Sequence, residues 1–296
     1  MGEQFAQRTT SHAQRTTSLT YQYDGSFEGL LCCVFQSYAM KELPIDIIPP
    51  EAEALSLFPV KEIPTDLEKA NRVLNSIPVK MGPEALEFVQ HAFLTCLEQK
   101  ELHILLFLRL GYQHGPSVMD MLANDVVDKL FKAVTHLKRE SHLLCGFVRF
   151  SVFNNALAAE IEPKNYVLPL LTKHFTERYP DECFLIHDKT HGMALIYEPY
   201  RSAIIPIIDL ELPDPDQEEL TFRELWQQFY KTIAIEARYN PRLRMNHMPK
   251  RYWKYLTEFG QARTAPVKNA PQERLFIAQK EAPRSSSRAS LPRPMP

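Results

Sequence analysis

Glycine is scarce in this chain, nine in 296 residues, and tryptophan scarcer still, with two. The glycine signatures that let a backbone cradle phosphates are missing with it. There is no GxGxxG and no GxxxxGK[ST], so no cofactor is expected. HExxH is absent, and no serine or cysteine stands in a nucleophile elbow. The five cysteines (Cys32, Cys33, Cys96, Cys145, Cys183) are odd in number and contain no CxxC, which removes zinc-ribbon and iron–sulfur readings. They lie mostly in apolar runs, as small buried thiols do in a reducing compartment. No apolar run approaches the ~20 residues that span a bilayer. The polar N-terminus shows no signal peptide, so a cytoplasmic location without membrane contact is expected.

What the chain has is a split of charge. With 45% hydrophobic and 24% charged residues, it has the composition of a globular protein with a sizeable core. From residue 223 onward, 15 Lys/Arg face 5 Asp/Glu, a net +10, and the total of −2 leaves −12 for residues 1–222. Such asymmetry points to nucleic acid or to an acidic partner. The plainer reading is that the basic end neutralises its acidic neighbour, since Asp209, Glu211, Asp214, Asp216, Glu218 and Glu219 lie just upstream.

Residues 1–18 contain AQRTTS twice and almost nothing apolar, and are expected to be a disordered leader. A strand over 19–23 precedes a helix over 27–40, with Asp24 and Ser26 as cap residues. Five prolines make 43–64 a connector with at most one short strand, near 55–58. Thr65-Asp66 caps a helix to about Ser76, and a second helix covers 84–99. A buried helix covers 101–110, followed by a turn bracketed by Gly111 and Gly115. An amphipathic helix over 125–144 closes the helical half. The period then drops to two: 146–153 and 156–161 form a hairpin across Asn154-Asn155, and strands follow at 183–188, 193–197 and 203–208. Between them a helix in 163–178 accepts Pro169 only in its first turn. The expected fold is α+β: a helical first half, an antiparallel sheet, a closing amphipathic helix and a short basic helix. One domain covers 19–258. Residues 260–296, with six prolines, four serines and five arginines, read as disordered apart from a docking turn at Leu275-Phe276-Ile277, and the tail is drawn at 259–296.

The most informative stretch is 221–258. Thr221 and Glu224 have capping-box spacing, and Phe222, Leu225, Trp226, Phe229, Tyr230 and Ile233 form a helical stripe expected to be buried. The pattern stops at Asn240-Pro241. Cations then interleave with rings: Arg238, Arg242, Arg244, Lys250, Arg251 and Lys254 among Tyr239, Tyr252, Trp253 and Tyr255, with Asn240 at the bend. Cations neutralise phosphates and rings stack on exposed bases. These residues are therefore the candidate nucleic-acid interface, an elbow expected to face outward. Packing of Trp253 and Leu256 onto the core is the alternative. A second candidate set is polar: Asp24, Glu28, Glu140, His142, Arg149, His174 and Arg178. Arg149 alternates with apolar neighbours and needs a carboxylate, with Glu140 or Glu160 the nearest in pattern. His187-Asp188 and His191 have tolerable ligand spacing, but a solvated strand tip is the simpler reading and no metal is expected.

Three ordered segments resemble a bacterial family of uncharacterised DNA metabolism or repair proteins. The first is Tyr23-Asp24-Gly25-Ser26-Phe27-Glu28-Gly29-Leu30-Leu31. The second takes in Glu140, His142, Gly146-Phe147-Val148-Arg149-Phe150, Leu168-Pro169-Leu170-Leu171, His174-Phe175 and Arg178. The third takes in Arg238, Asn240-Pro241-Arg242-Leu243 and Met248-Pro249-Lys250-Arg251-Tyr252-Trp253-Lys254. The resemblance covers about residues 19–258. It implies a protein encoded beside a radical SAM protein thought to act on DNA, and a domain also found fused ahead of a uracil-DNA-glycosylase-like domain. The chain has no CxxxCxxC, so the resemblance casts it as the companion subunit. Three functions follow as expectations: a DNA-binding companion of a radical SAM partner, an enzyme acting itself on damaged bases or nucleic-acid ends, or a protein-binding adaptor.

Overall fold

Asp66, Asn124 and Asp216 each accept a backbone N–H with their side chains, and each starts a helix at that point. The computed structural model describes residues 15–16, 18–50, 58–153, 156–207, 210, 212 and 215–259, and they form the expected α+β fold. The chain divides into two units, Met1–Gly260 and Gln261–Pro296. The second unit, most of the leader, most of the strand expected at 55–58 and the Asn154-Asn155 turn lie outside the described residues.

In the first half, β1 (Arg15–Thr16) falls within the stretch expected to be disordered. β2 (Thr20–Gln22) leads to α1 (Phe27–Ala39), capped by Ser26, whose hydroxyl accepts from Gly29 N. The proline-rich connector holds more than one short strand. β3 (Glu42–Leu43) pairs in parallel with β1, while β4 (Asp46–Ile48) and β5 (Val60–Glu62) flank β2 in a parallel three-stranded sheet. α2 (Leu67–Met81) runs past the expected end at Ser76 and contains Pro78. The missing proline donor is tolerated because Ala70, Val73, Ile77 and Met81 bury one face of the helix. α3 (Pro83–Phe93) ends earlier than its stripe suggests. Leu94 O accepts from Tyr166 N at 2.9 Å and Cys96 N donates to Asn165 Oδ1 at 2.9 Å, so long-range bonds replace the helical ones. α4 (Lys100–His114) continues through Gly111, where the sequence suggested a turn. A Cβ there would lie 2.3 Å from Met81 Sδ, so this glycine serves the close approach of α2 and α4. Gly115, at φ +66°, ends the helix.

α5 (Asp125–Phe147) is three residues longer than expected and displaces the start of the first hairpin strand. Arg149 Nη1 donates to Gly146 O at 2.8 Å, satisfying one of the last helical carbonyls. β6 (Ser151–Phe153) and β7 (Ala156–Ile161) form the expected antiparallel hairpin, with Val152 opposite Leu157. α6 (Leu168–Arg178) carries Pro169 in its first turn. β8 (Phe184–Asp188), β9 (Met193–Glu198) and β10 (Arg201–Pro206) complete a sheet in the order β10-β9-β8-β7-β6. One pair departs from the expected antiparallel sheet. β7 and β8 are parallel, because α6 intervenes as a crossover between them.

Two hydrophobic clusters form the interior, and α5 runs through both. Val127, Leu130 and Val134 belong to the first, and Leu137 and Leu144 to the second. The second is closed by Leu171 and Phe175 of α6, by Phe184 and Ile186 of β8, and by Tyr252 and Leu256 from the end of the described chain. Of the cysteines, Cys32 and Cys33 are buried, and burial pushes the Cys33 thiol up to about 12. Cys96 and Cys183 are exposed. No helix among the described residues is long and apolar enough to cross a membrane.

The largest correction concerns α7 (Gln217–Thr232). It starts at Asp216, whose Oδ1 accepts from Glu219 N at 2.8 Å. Thr221 lies inside the helix and donates its hydroxyl to Gln217 O. Its apolar stripe is not buried: Phe222, Leu225, Trp226, Phe229 and Ile233 are 41–60% exposed. The helix is held by another face, through Arg223 to Ser151 Oγ at 2.5 Å, Gln227 to Thr257 O at 2.9 Å, and the Tyr230 ring against Phe259. Periodicity shows that side chains share a face and says nothing about what covers it.

Candidate nucleic-acid interface

Asn240 and Pro241 build the elbow. Pro241, with its fixed φ and absent donor, fits the first turn of α8 (Pro241–His247), and Asn240 Oδ1 accepts from Leu243 N at 3.0 Å. After Pro249 the chain makes a 3₁₀ helix, Lys250–Tyr255. Its three residues per turn send Tyr252 and Tyr255 to the same side, inward.

Beneath the elbow lies Glu140 of α5, 1% exposed. Its carboxylate accepts from Lys164 N at 3.1 Å, Asn165 N at 2.9 Å, Asn165 Nδ2 at 2.6 Å and Tyr252 Oη at 3.1 Å, and pairs with Arg251 Nη2 at 2.8 Å. Burial is the strongest influence on this carboxyl and disfavours its charge. The donors from Asn165 and Lys164, with the Arg251 guanidinium, outweigh it and hold Glu140 below the ordinary carboxylate range. Burial and Glu140 push the Tyr252 phenol up to about 12. A second brace forms on Glu162, which takes both Lys254 and Tyr255. Hydrogen bonds from these two hold its carboxyl below the usual range. The third is Arg149, gripping Glu258 through Nη2 at 2.6 Å and Nε at 3.3 Å. Glu258, rather than Glu140 or Glu160, is therefore its carboxylate partner.

The eight interface candidates thus fall into two groups. Arg251 turns inward to Glu140, Lys254 pairs with Glu162 at the surface, and Asn240 caps a helix. Trp253 donates Nε1–H to Met248 O at 2.8 Å and stacks on Phe259 at 4.6 Å. The Arg244 guanidinium lies 5.1 Å from the Trp253 centroid and 5.3 Å from that of Phe259. Arg238, Arg242 and Lys250 are exposed and make no ion pair among the described residues.

The structure distributes the polar candidates, and no hydrogen bond or ion pair joins any two of the seven among the described residues. Asp24 accepts from Ser26 Oγ and Thr65 Oγ1, both at 2.6 Å, a bracing role at the start of α1, and Glu28 is exposed on that helix's first turn. His142 is exposed on α5 while Glu140 is buried. His174 packs its ring edge-on to Phe175 with Nε2 buried and unpartnered, and Arg178 lies over Tyr179.

One arrangement was hidden behind the solvated-tip reading. His187 and Asp188 are 2% and 0% exposed at the carboxyl end of β8. Asp188 Oδ2 accepts from His191 Nδ1 at 2.6 Å, and its Oδ1 takes the amides of Thr190 and His191. The Tyr166 ring is 5.4 Å from that of His191, and Tyr166 follows Asn165 of the Glu140 hub. The available signal was Asp188 three residues before His191, at the end of an apolar strand.

The family model of DUF4130, a domain of unknown function, matches residues 98–258, more than half of the chain. The chain belongs to the DUF4130 family. No curated protein matches it. The DUF4130 segment runs from α4 through the five-stranded sheet to the elbow, so it contains Glu140, Glu162, Arg149 and all eight interface candidates.

The brace has a pH signature. A carboxyl that ionises more easily in the folded state than in the unfolded chain stabilises the fold above the unfolded value, ~4.3, and loses that effect as pH falls through its depressed folded value. Urea denaturation at pH 7 should show Glu140→Gln less stable by about 1–3 kcal/mol, the cost of leaving a buried donor of this hub unmatched. The difference from wild type should shrink on acidification below pH ~4. Equal stability of the two proteins at pH 7 contradicts the hub.

Proposed function

We propose that this protein is a nucleic-acid-binding component of DNA metabolism that works beside a separate radical SAM enzyme. The observation that carries this reading is the sorting of the elbow's cations. Arg251 and Lys254 are neutralised by Glu140 and Glu162, while Arg238, Arg242 and Lys250 stand exposed without ion pairs among the described residues. A braced strip with unneutralised cations outside is suited to phosphates, whose counterions are released on binding. The family resemblance supplies DNA as the polymer and the radical SAM protein as the partner.

Binding of single- and double-stranded DNA across a salt series tests the phosphate interactions. The triple change Arg238→Ala, Arg242→Ala, Lys250→Ala should flatten the slope of log K against log salt by about 2 to 3, near one for each phosphate that no longer has a cation. A slope that is absent, or that ignores all three changes, removes the reading.

The partner has a candidate surface of its own. A stripe of five large apolar side chains on α7 is more exposed than a folded helix ordinarily leaves its core face, and such patches mark protein interfaces. Trp226→Glu with Phe229→Glu should weaken binding of the radical SAM protein more than tenfold, as loss of an interface hot spot of about 2 kcal/mol or more does. DNA binding should stay unchanged. An unchanged protein affinity excludes α7 as the docking face.

A second reading, an enzyme in its own right, is favoured by the Asp188–His191 pair. A buried carboxylate holding Nδ1–H leaves Nε2 as the proton acceptor, the geometry of an oriented general base. Full-length protein incubated with oligonucleotides carrying uracil, an abasic site or a free end should then form product. His191→Ala should slow that reaction about 10²-fold or more while leaving the far-ultraviolet spectrum intact. Product formation that His191→Ala does not slow rules this pair out.

A further inference from the structure

Four rings belong to the elbow, and the structure treats them differently. Tyr252 is 3% exposed with its hydroxyl on Glu140, and Tyr255 has its hydroxyl on Glu162. Trp253 has one neighbour in Phe259 and its Nε1–H committed to Met248 O. Tyr239 alone of the four stands open, 69% exposed.

Its position is nevertheless fixed. The next residue is the α8 cap, Asn240, and the one after is Pro241, so the backbone on its C-terminal side has little freedom. The Arg244 guanidinium lies 5.7 Å from the Tyr239 centroid and also packs on Trp253 and Phe259. That cationic layer connects the open ring to the braced part of the elbow. Arg238 and Arg242, one residue before and three after, are exposed beside it.

We propose, building on the phosphate-binding reading above, that Tyr239 is a base-stacking platform and that the elbow's ligand is an unpaired, single-stranded stretch of nucleic acid. A duplex hides its base faces within the stack and offers an exposed ring only sugar and phosphate. A single strand offers the face of every base, and stacking on an aromatic side chain is worth ~1–3 kcal/mol per base. The cations meet the backbone of either form, so the ring rather than the charge separates single strands from duplexes.

Fluorescence anisotropy with a labelled single strand of about 20 nucleotides, long enough for the site sizes of such proteins, and with the duplex of the same sequence decides the matter. Tyr239→Ala should weaken single-strand binding roughly 5- to 150-fold, the fold-change equivalent of one stacked base. Duplex affinity should hold within about twofold, and the salt slope should not move, because every phosphate keeps its cation. Tyr239→Phe, which keeps the ring, should bind like wild type. Equal losses on both nucleic acids, no loss on the single strand, or a Phe variant as weak as the Ala variant each overturn the platform. The Arg238, Arg242, Lys250 triple variant separates the two readings. If it binds as wild type does, the phosphate reading fails. If it weakens binding and Tyr239→Ala does not, the phosphate interactions stand and the platform falls.

Discussion

A single buried carboxylate, that of Glu140, holds the second half of this protein together. It sits on α5 between Val134, in the first hydrophobic cluster, and Leu144, in the second. Five donors from two places in the chain converge on it: Lys164–Asn165, through both backbone amides and the Asn165 side chain, and the Arg251–Tyr252 pair of the elbow. Asn165 then reaches on to Cys96, which terminates the run begun by α3. A charge so far from water is tolerable only when every lone pair is matched, and a matched charge is a stringent constraint on geometry. The elbow, long, basic and largely without an apolar core of its own, is thereby tied to α5.

The same hub explains how a basic segment serves two ends. The cations on Glu140 and Glu162 are neutralised, Arg251 against a buried carboxylate and Lys254 at the surface, while those at the α8 turn and at Lys250 retain their field. Rings divide in parallel. Tyr252 and Tyr255 share the inward side of the 3₁₀ helix, whereas Tyr239 precedes the helix cap and is open to solvent. α7, immediately before, contributes an uncovered apolar stripe. Charge, an open ring and an apolar face thus lie on consecutive elements.

Much of the fold was legible, for local reasons. Caps at Ser26 and Asp66 and the hairpin around Val152 and Leu157 depend on neighbours in the chain. Differences arose where distant groups replaced local ones. Pro78 remains helical where Ile77 and Met81 bury one face of α2, and α3 stops where Asn165 and Tyr166 take over its bonds. Gly111 stays in a helix because Met81 fills the space a side chain would need. The Asp188–His191 pair was not legible because the burial of Asp188, the property that distinguishes it from a loose turn, comes from the sheet.

By itself the sequence determined the α+β class, the longer helices, the strands of the five-stranded sheet, the position of the basic elbow and its aromatic content, since periodicity, capping and charge are properties of short stretches. Only the tertiary structure decided which cations remain available, which carboxylate Arg149 takes, that β7 and β8 run parallel, and that α7 leaves its stripe uncovered. The reason is physical. An ion pair or a buried face is a relation between groups far apart in the chain, 112 residues in the case of Glu140 and Tyr252, and it exists only once the fold has brought both to one place.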